Sequence, residues 1–147
     1  MKPPETVYRG ERLTGPAGEE FAARVTVVDR SGVVHPLSPR RSLKIREHSP
    51  TGFEWGYGGS GPLQLALALL LDVTEDPDLA QRCYHWFMWA TVACWGPSWS
   101  VTASELFAWV DRWQREQRQL EDLEAGIKPF MVEEPTSNLV AAKGGAA

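Results

Sequence analysis

Residues 48–72, HSPTGFEWGYGGSGPLQLALALLLD, hold five glycines, a Trp and a Tyr before the chain turns aliphatic. Glycine reaches backbone angles that other residues avoid, and a proline at position 62 suits the first turn of a helix. The stretch therefore marks a junction, with strands before it and helices after it.

Working backwards from the junction, TVYRG and ARVTVVDRSGVVHPL carry short β-branched runs, the second broken at Asp29-Arg30-Ser31-Gly32 by a turn signal that predicts a hairpin. Residues 11–20, with two glycines and a proline, read as a surface loop. Leu43 to His48 alternates like a third strand, and Ser49-Pro50-Thr51-Gly52 fits a type I turn returning Phe53 to Tyr57 as an antiparallel fourth strand.

Working forwards, Gly61 and Pro62 open a helix that runs to Asp72, with Gln64 placed to bond back towards its cap. Asp76-Pro77 opens a second, carrying Leu79, Cys83, Trp86, Phe87, Ala90 and Cys94 at helical spacing. Thr102-Ala103-Ser104-Glu105 is a capping box for a third, extending to Ala125. The expected fold is α+β: an N-terminal antiparallel sheet of about four strands packed against about three C-terminal helices. Residues 1–126 read as one domain and 127–147 as a flexible tail.

Composition excludes several classes. The chain has 147 residues, 43% hydrophobic and 23% charged, as expected of a soluble globular domain. Its longest apolar run, Leu65 to Leu71, falls far short of the roughly 20 residues of a membrane span, and the N-terminus lacks a secretory pattern. A cytoplasmic setting without membrane contact is the expectation. His35, His48, His85, Cys83 and Cys94 have no metal-ligand spacing, so neither metal nor cofactor is expected, and both thiols read as buried.

Charge is uneven. Residues 1–49 hold nine Lys and Arg against six acids, and the remainder six against thirteen. The basic patch at Arg40, Arg41, Lys44 and Arg46 is either a solvated strand face or a phosphate contact. With a net charge of -4, nucleic acid is the less favoured partner.

Gly56-Tyr57-Gly58-Gly59-Ser60-Gly61 satisfies G-x-G-x-x-G. The context of a nucleotide site is missing, because no strand follows the next helix, Pro62 deletes a donor and no Lys follows the glycines. The simpler role of the glycines is a close passage from strand to helix, with a left-handed angle at Gly58 or Gly59. Strand alternation places Phe53, Trp55 and Tyr57 on one face and Glu54 on the other. Glu54 is expected to accept from the glycine turn's N–H groups. With His48 it forms the candidate acid–base pair of an enzyme alternative, beside an anion site at Ser60.

HSPTGFEWGYGGSGPLQLALALL resembles the signature of an uncharacterised family of small bacterial and phage proteins, a domain of unknown function. Weaker similarity takes in YRGERL, VTVVDRSG and the spacing of Tyr84 and Phe87, over residues 7–113. The resemblance transfers no catalytic residue. It implies a phage or mobile-element setting, and a small accessory protein rather than a metabolic enzyme.

Six of the seven Trp lie between residues 86 and 113. Trp86, Trp109 and Trp113 fall on core faces, whereas Trp89 and Trp99, left at the surface, are candidate contacts for a protein partner. The leading reading is a non-enzymatic protein-binding module acting on a host protein, with His48, Glu54, Trp55, Tyr57, Gly58, Gly59, Ser60, Trp89 and Trp99 as candidate contacts. Trp113 and Leu120 are one heptad apart and, with Leu123, form a candidate homodimer seam.

Overall fold

The computed structural model describes residues 1–126. Its strands are β1 (Val7–Thr14), β2 (Glu20–Val28), β3 (Val34–Pro36) and β4 (Trp99–Thr102). Its helices are α1 (Arg40–Ile45), α2 (Ser60–Thr74), α3 (Pro77–Ala90) and α4 (Ala103–Glu124), with a 3-10 turn at Val92–Cys94. The architecture is the expected α+β. Two compact units divide the chain, Met1–Val110 and Asp111–Ala147, and the boundary falls inside α4. The expected C-terminal tail, 127–147, lies outside the described residues.

The sheet has the order β3-β2-β1-β4 and is antiparallel throughout. The β2–β3 hairpin forms where Asp29 predicts it, its Oδ1 accepting from the Ser31 and Val33 N–H groups at 2.8 and 3.0 Å. The first connection is tighter than the loop expected over 11–20. β1 continues to Thr14, β2 begins at Glu20, and Gly15 N–H closes the turn on the Glu19 carbonyl at 2.7 Å. Alternation along β1 turns Tyr8, Gly10 and Arg12 to the inner face, opposite Val27, Val25 and Ala23.

Two expected strands are absent. Leu43 to His48 is not a strand, because Arg40–Ile45 is helical and Gln64 of α2 satisfies the polar groups that a neighbouring strand would have met. Phe53 to Tyr57 is irregular. There the Gly56 N–H bonds to the Val92 carbonyl at 3.0 Å, and the Trp55 indole donates to the Gly96 carbonyl at 2.8 Å. The fourth strand is instead Trp99–Thr102, which pairs with Val7–Gly10 of β1.

At the centre lies α2, buried on every side from Leu65 to Leu71, as a helix apolar all round must be. It packs against α1 and α3, the latter contributing Ala80, Cys83, Tyr84, Phe87 and Met88 to the core. Tyr8, buried on β1, donates its hydroxyl to Asp72 at 2.8 Å and so ties the sheet to this helix; burial and Asp72 push the phenol far above its ordinary range. The α3 N-cap is Asp76, accepting from Leu79 N–H at 3.1 Å, with Pro77 behind it. That helix stops at Ala90, short of the expected Cys94. The α4 capping box is formed as predicted: Thr102 N–H donates to Glu105 at 2.8 Å, and Glu105 N–H returns to the Thr102 hydroxyl at 3.1 Å.

Candidate functional site

The glycine corner is built by close approach. Gly56 is the residue with a left-handed angle, φ 88°, in place of Gly58 or Gly59, and a Cβ there would meet the Trp95 carbonyl at 3.0 Å. Gly59 is extended, at φ 171°, and stands as the α2 N-cap without a side-chain cap. The helix therefore begins at Ser60, ahead of the expected Gly61 cap, and Gln64 bonds elsewhere. Gly58 lets the Trp89 ring lie directly on the backbone: a Cβ would sit 2.1 Å from its outer carbon. At Gly61 a Cβ would be 2.6 Å from the Glu54 Cβ.

Glu54 does not rest on the N–H groups of the glycine turn. Its carboxylate pairs with Arg12 at 2.8 Å. The same guanidinium meets Glu20 at 3.3 Å, donates to the Trp55 carbonyl at 3.2 Å and lies 4.4 Å from the Trp55 ring centre. Arg12 reaches this position because alternation puts it on the inner face of β1, two residues after Gly10 and just before the register shift at Leu13–Thr14. The sequence reading missed it, and strand parity was the available signal. Glu20 and Glu54 both line an open cleft of about 830 Å³ and a second of about 470 Å³. The larger opens on Ser60 and Gly61 at the α2 N-terminus, but two carboxylates on its wall oppose a phosphate.

His48 is held apart from that carboxylate chemistry. Its backbone N–H donates to Gln64 Oε1 at 2.7 Å, and its Nε2 lies 2.6 Å from the Tyr84 hydroxyl. Burial, His85 and Arg46 hold the imidazole below its ordinary pKa. The larger cleft is lined by Ser49 and Glu54 and not by His48. Each half of the expected acid–base pair is thus engaged elsewhere. Gln64, completely buried, also accepts from Ser49 N–H at 3.0 Å and donates to Ser42 Oγ at 2.9 Å and to the Arg46 carbonyl at 3.1 Å. Among the described residues no group of three or more His, Cys, Asp or Glu is placed to hold a metal.

The tryptophans divide differently from the expectation. Trp55 and Trp99 are buried, Trp99 against the expectation of a surface aromatic, although Trp55 contributes to the wall of the smaller cleft. Trp99 of β4 sits opposite Gly10, whose missing side chain leaves room for the indole, and it stacks on Trp95 at 4.1 Å. Trp86, expected in the core, is 61% exposed, Trp89 is 64% exposed and Tyr57 is 51% exposed. Residues 86 and 89 neighbour each other on one face of α3. With the ring of Trp89 on Gly58, next to Tyr57, the result is an aromatic face at the glycine corner.

A profile of one protein family matches residues 8–112, most of the described chain. The chain belongs to the family of unknown function DUF6166. The match takes in the sheet, the glycine corner and the aromatic face, over nearly the span that the sequence resemblance covers. No curated protein and no solved structure matches.

The remaining candidates are placed as follows. Arg40, Arg41 and Lys44 lie on α1 and Arg46 is its C-cap, so the basic patch is helical and exposed rather than a strand face. Trp113 is buried, whereas Leu120 and Leu123 are 52% and 49% exposed, beyond the segment matched by DUF6166. Of the two thiols, Cys83 is buried and pushed up to about 12, but Cys94, displaced from α3 into the 3-10 turn, is exposed. Among the described residues no helix is long and apolar enough to cross a membrane.

Proposed function

We propose that this chain is a non-enzymatic protein-binding module of the cytoplasm, with a recognition surface formed by Trp86, Trp89 and Tyr57 around the glycine corner. The observation that carries the reading is the exposure of both indoles, 61% and 64%, on adjacent turns of a helix whose opposite side is core. Large rigid aromatics are the residues that most often supply binding energy at protein interfaces. The support beneath them is stiff: Trp89 rests on Gly58, and Gln64 pins the His48 segment alongside Tyr84. The phage or mobile-element setting implied by the sequence resemblance makes a host protein the partner.

The test is affinity capture from host lysate with the whole chain and with a Trp86→Ala/Trp89→Ala variant, followed by reconstitution of the captured protein with purified chain. A partner that binds the parent at least about tenfold more tightly than the variant supports the reading. Equal binding by a folded variant overturns it.

A second reading rests on Leu120 and Leu123. Their exposure fits a homodimer seam reduced to these two leucines, since Trp113 is buried. A concentration-dependent dimer in sedimentation that disappears with Leu120→Glu supports this, and a monomer at high micromolar concentration refutes it.

A further inference from the structure

The aromatic face is accompanied by exposed arginines that form no ion pair among the described residues. On α3, Arg82, His85, Trp86 and Trp89 occupy positions i, i+3, i+4 and i+7, one stripe about 10 Å long, and all are exposed. Beside the stripe the Tyr84 and His85 rings lie 4.4 Å apart, and His85 meets His48 edge-on at 5.9 Å. Arg46, exposed at the end of α1, is near enough to act electrostatically on both His48 and Tyr84. Among the described residues neither Arg46 nor Arg82 takes part in an ion pair. Glu54, the carboxylate of the glycine corner, is engaged by Arg12.

Resting on the protein-binding reading above, we infer that the partner segment is acidic, presenting an apolar or aromatic side chain to Trp86 and Trp89 and carboxylates to Arg82 and Arg46. Two free guanidiniums beside an apolar platform complement a short run of carboxylates, and Arg binds carboxylates through a planar fork. The same face suits single-stranded nucleic acid less well. A nucleic-acid groove follows the backbone with a succession of cations, whereas this face offers two guanidiniums, enough for a short run of carboxylates.

Selection from a displayed library of random peptides on the immobilised full chain tests the inference, with Trp86→Ala/Trp89→Ala as counter-selection. Enriched peptides are expected to carry an excess of Asp and Glu around an aromatic or aliphatic residue. Synthetic versions should bind roughly tenfold more weakly to Arg46→Gln/Arg82→Gln, with a shallower salt dependence. Both substitutions are at exposed sites, and an unchanged thermal midpoint verifies folding. Peptides that need Trp86 and Trp89 but show no acidic excess, or ignore the arginine substitutions, overturn the inference and leave the protein-binding reading standing. No peptide that depends on the tryptophans overturns both. Tighter binding of an oligo(dT) strand than of any acidic peptide, or a dimer of the chain abolished by the tryptophan substitutions, overturns the inference in favour of nucleic acid or a second copy.

Discussion

Replacing Gln64 by leucine should cost more than any surface change in this protein. Leucine fills nearly the same volume, so the substitution tests hydrogen bonds with little cavity. It strands the N–H groups of His48 and Ser49 and the Arg46 carbonyl, and it takes one of two partners from Ser42 Oγ, which keeps its bond to the Pro39 carbonyl at 2.9 Å; all four groups are now bonded to one amide at 2.7–3.1 Å. A buried polar group left without a partner costs about 1–3 kcal/mol. Three of the four are only part-buried and recover some hydration, while the leucine gains roughly 1 kcal/mol of apolar burial. The expected net loss is about 3 kcal/mol, or a fall of roughly 6–12 °C in thermal midpoint for a chain of this size. Urea unfolding followed by tryptophan fluorescence gives the value directly, provided that the slope matches the parent. A Gln64→Leu protein within about 0.5 kcal/mol of the parent would refute the claim that this side chain organises residues 42–49.

At Gly61, alanine drives a Cβ to 2.6 Å from the Glu54 Cβ, so Gly61→Ala should lower stability by about 1–3 kcal/mol through overpacking despite alanine's better helix propensity; a rise in the thermal midpoint would contradict the packing. Gly58→Ala displaces only the exposed Trp89 ring and should change indole fluorescence with a smaller stability loss. Ellman's reagent should label Cys94 alone in the native protein and Cys83 only after unfolding, and rapid native labelling of both thiols would contradict the burial of Cys83. His48 has a folded pKa below its ordinary 6.5, so the unfolded chain takes up this proton first. Its contribution to stability is present above pH 6.5 and is lost as pH falls through the folded value; urea midpoints compared with those of His48→Gln should converge on acidification, and parallel curves would exclude His48 as the source.

What the sequence determined by itself are the features closed by residues close together along the chain. Asp76 caps α3 through Leu79, Thr102 and Glu105 cap each other, and Asp29 folds its own turn through Ser31 and Val33, each bond spanning no more than four positions. The uniformly apolar run after Pro62 could only be an interior helix. Burial by distant partners decided the rest. The alternating segment Leu43 to His48 satisfies a strand pattern, and Gln64, 16 residues beyond His48, supplies the hydrogen bonds that release it from pairing. Trp99 reads as a surface aromatic until β4 aligns with β1 and Gly10 makes space for the ring, while Trp86 reads as core until the side of α3 facing α2 is known. Helical period shows that one face must be buried, but which angular sector meets the core depends on where α2 and the sheet lie, and that is a property of the packed chain. The candidate site inherits this dependence: its glycines are legible in the sequence, whereas Arg12 on Glu54 and the open indoles of Trp86 and Trp89 exist only after the elements have packed.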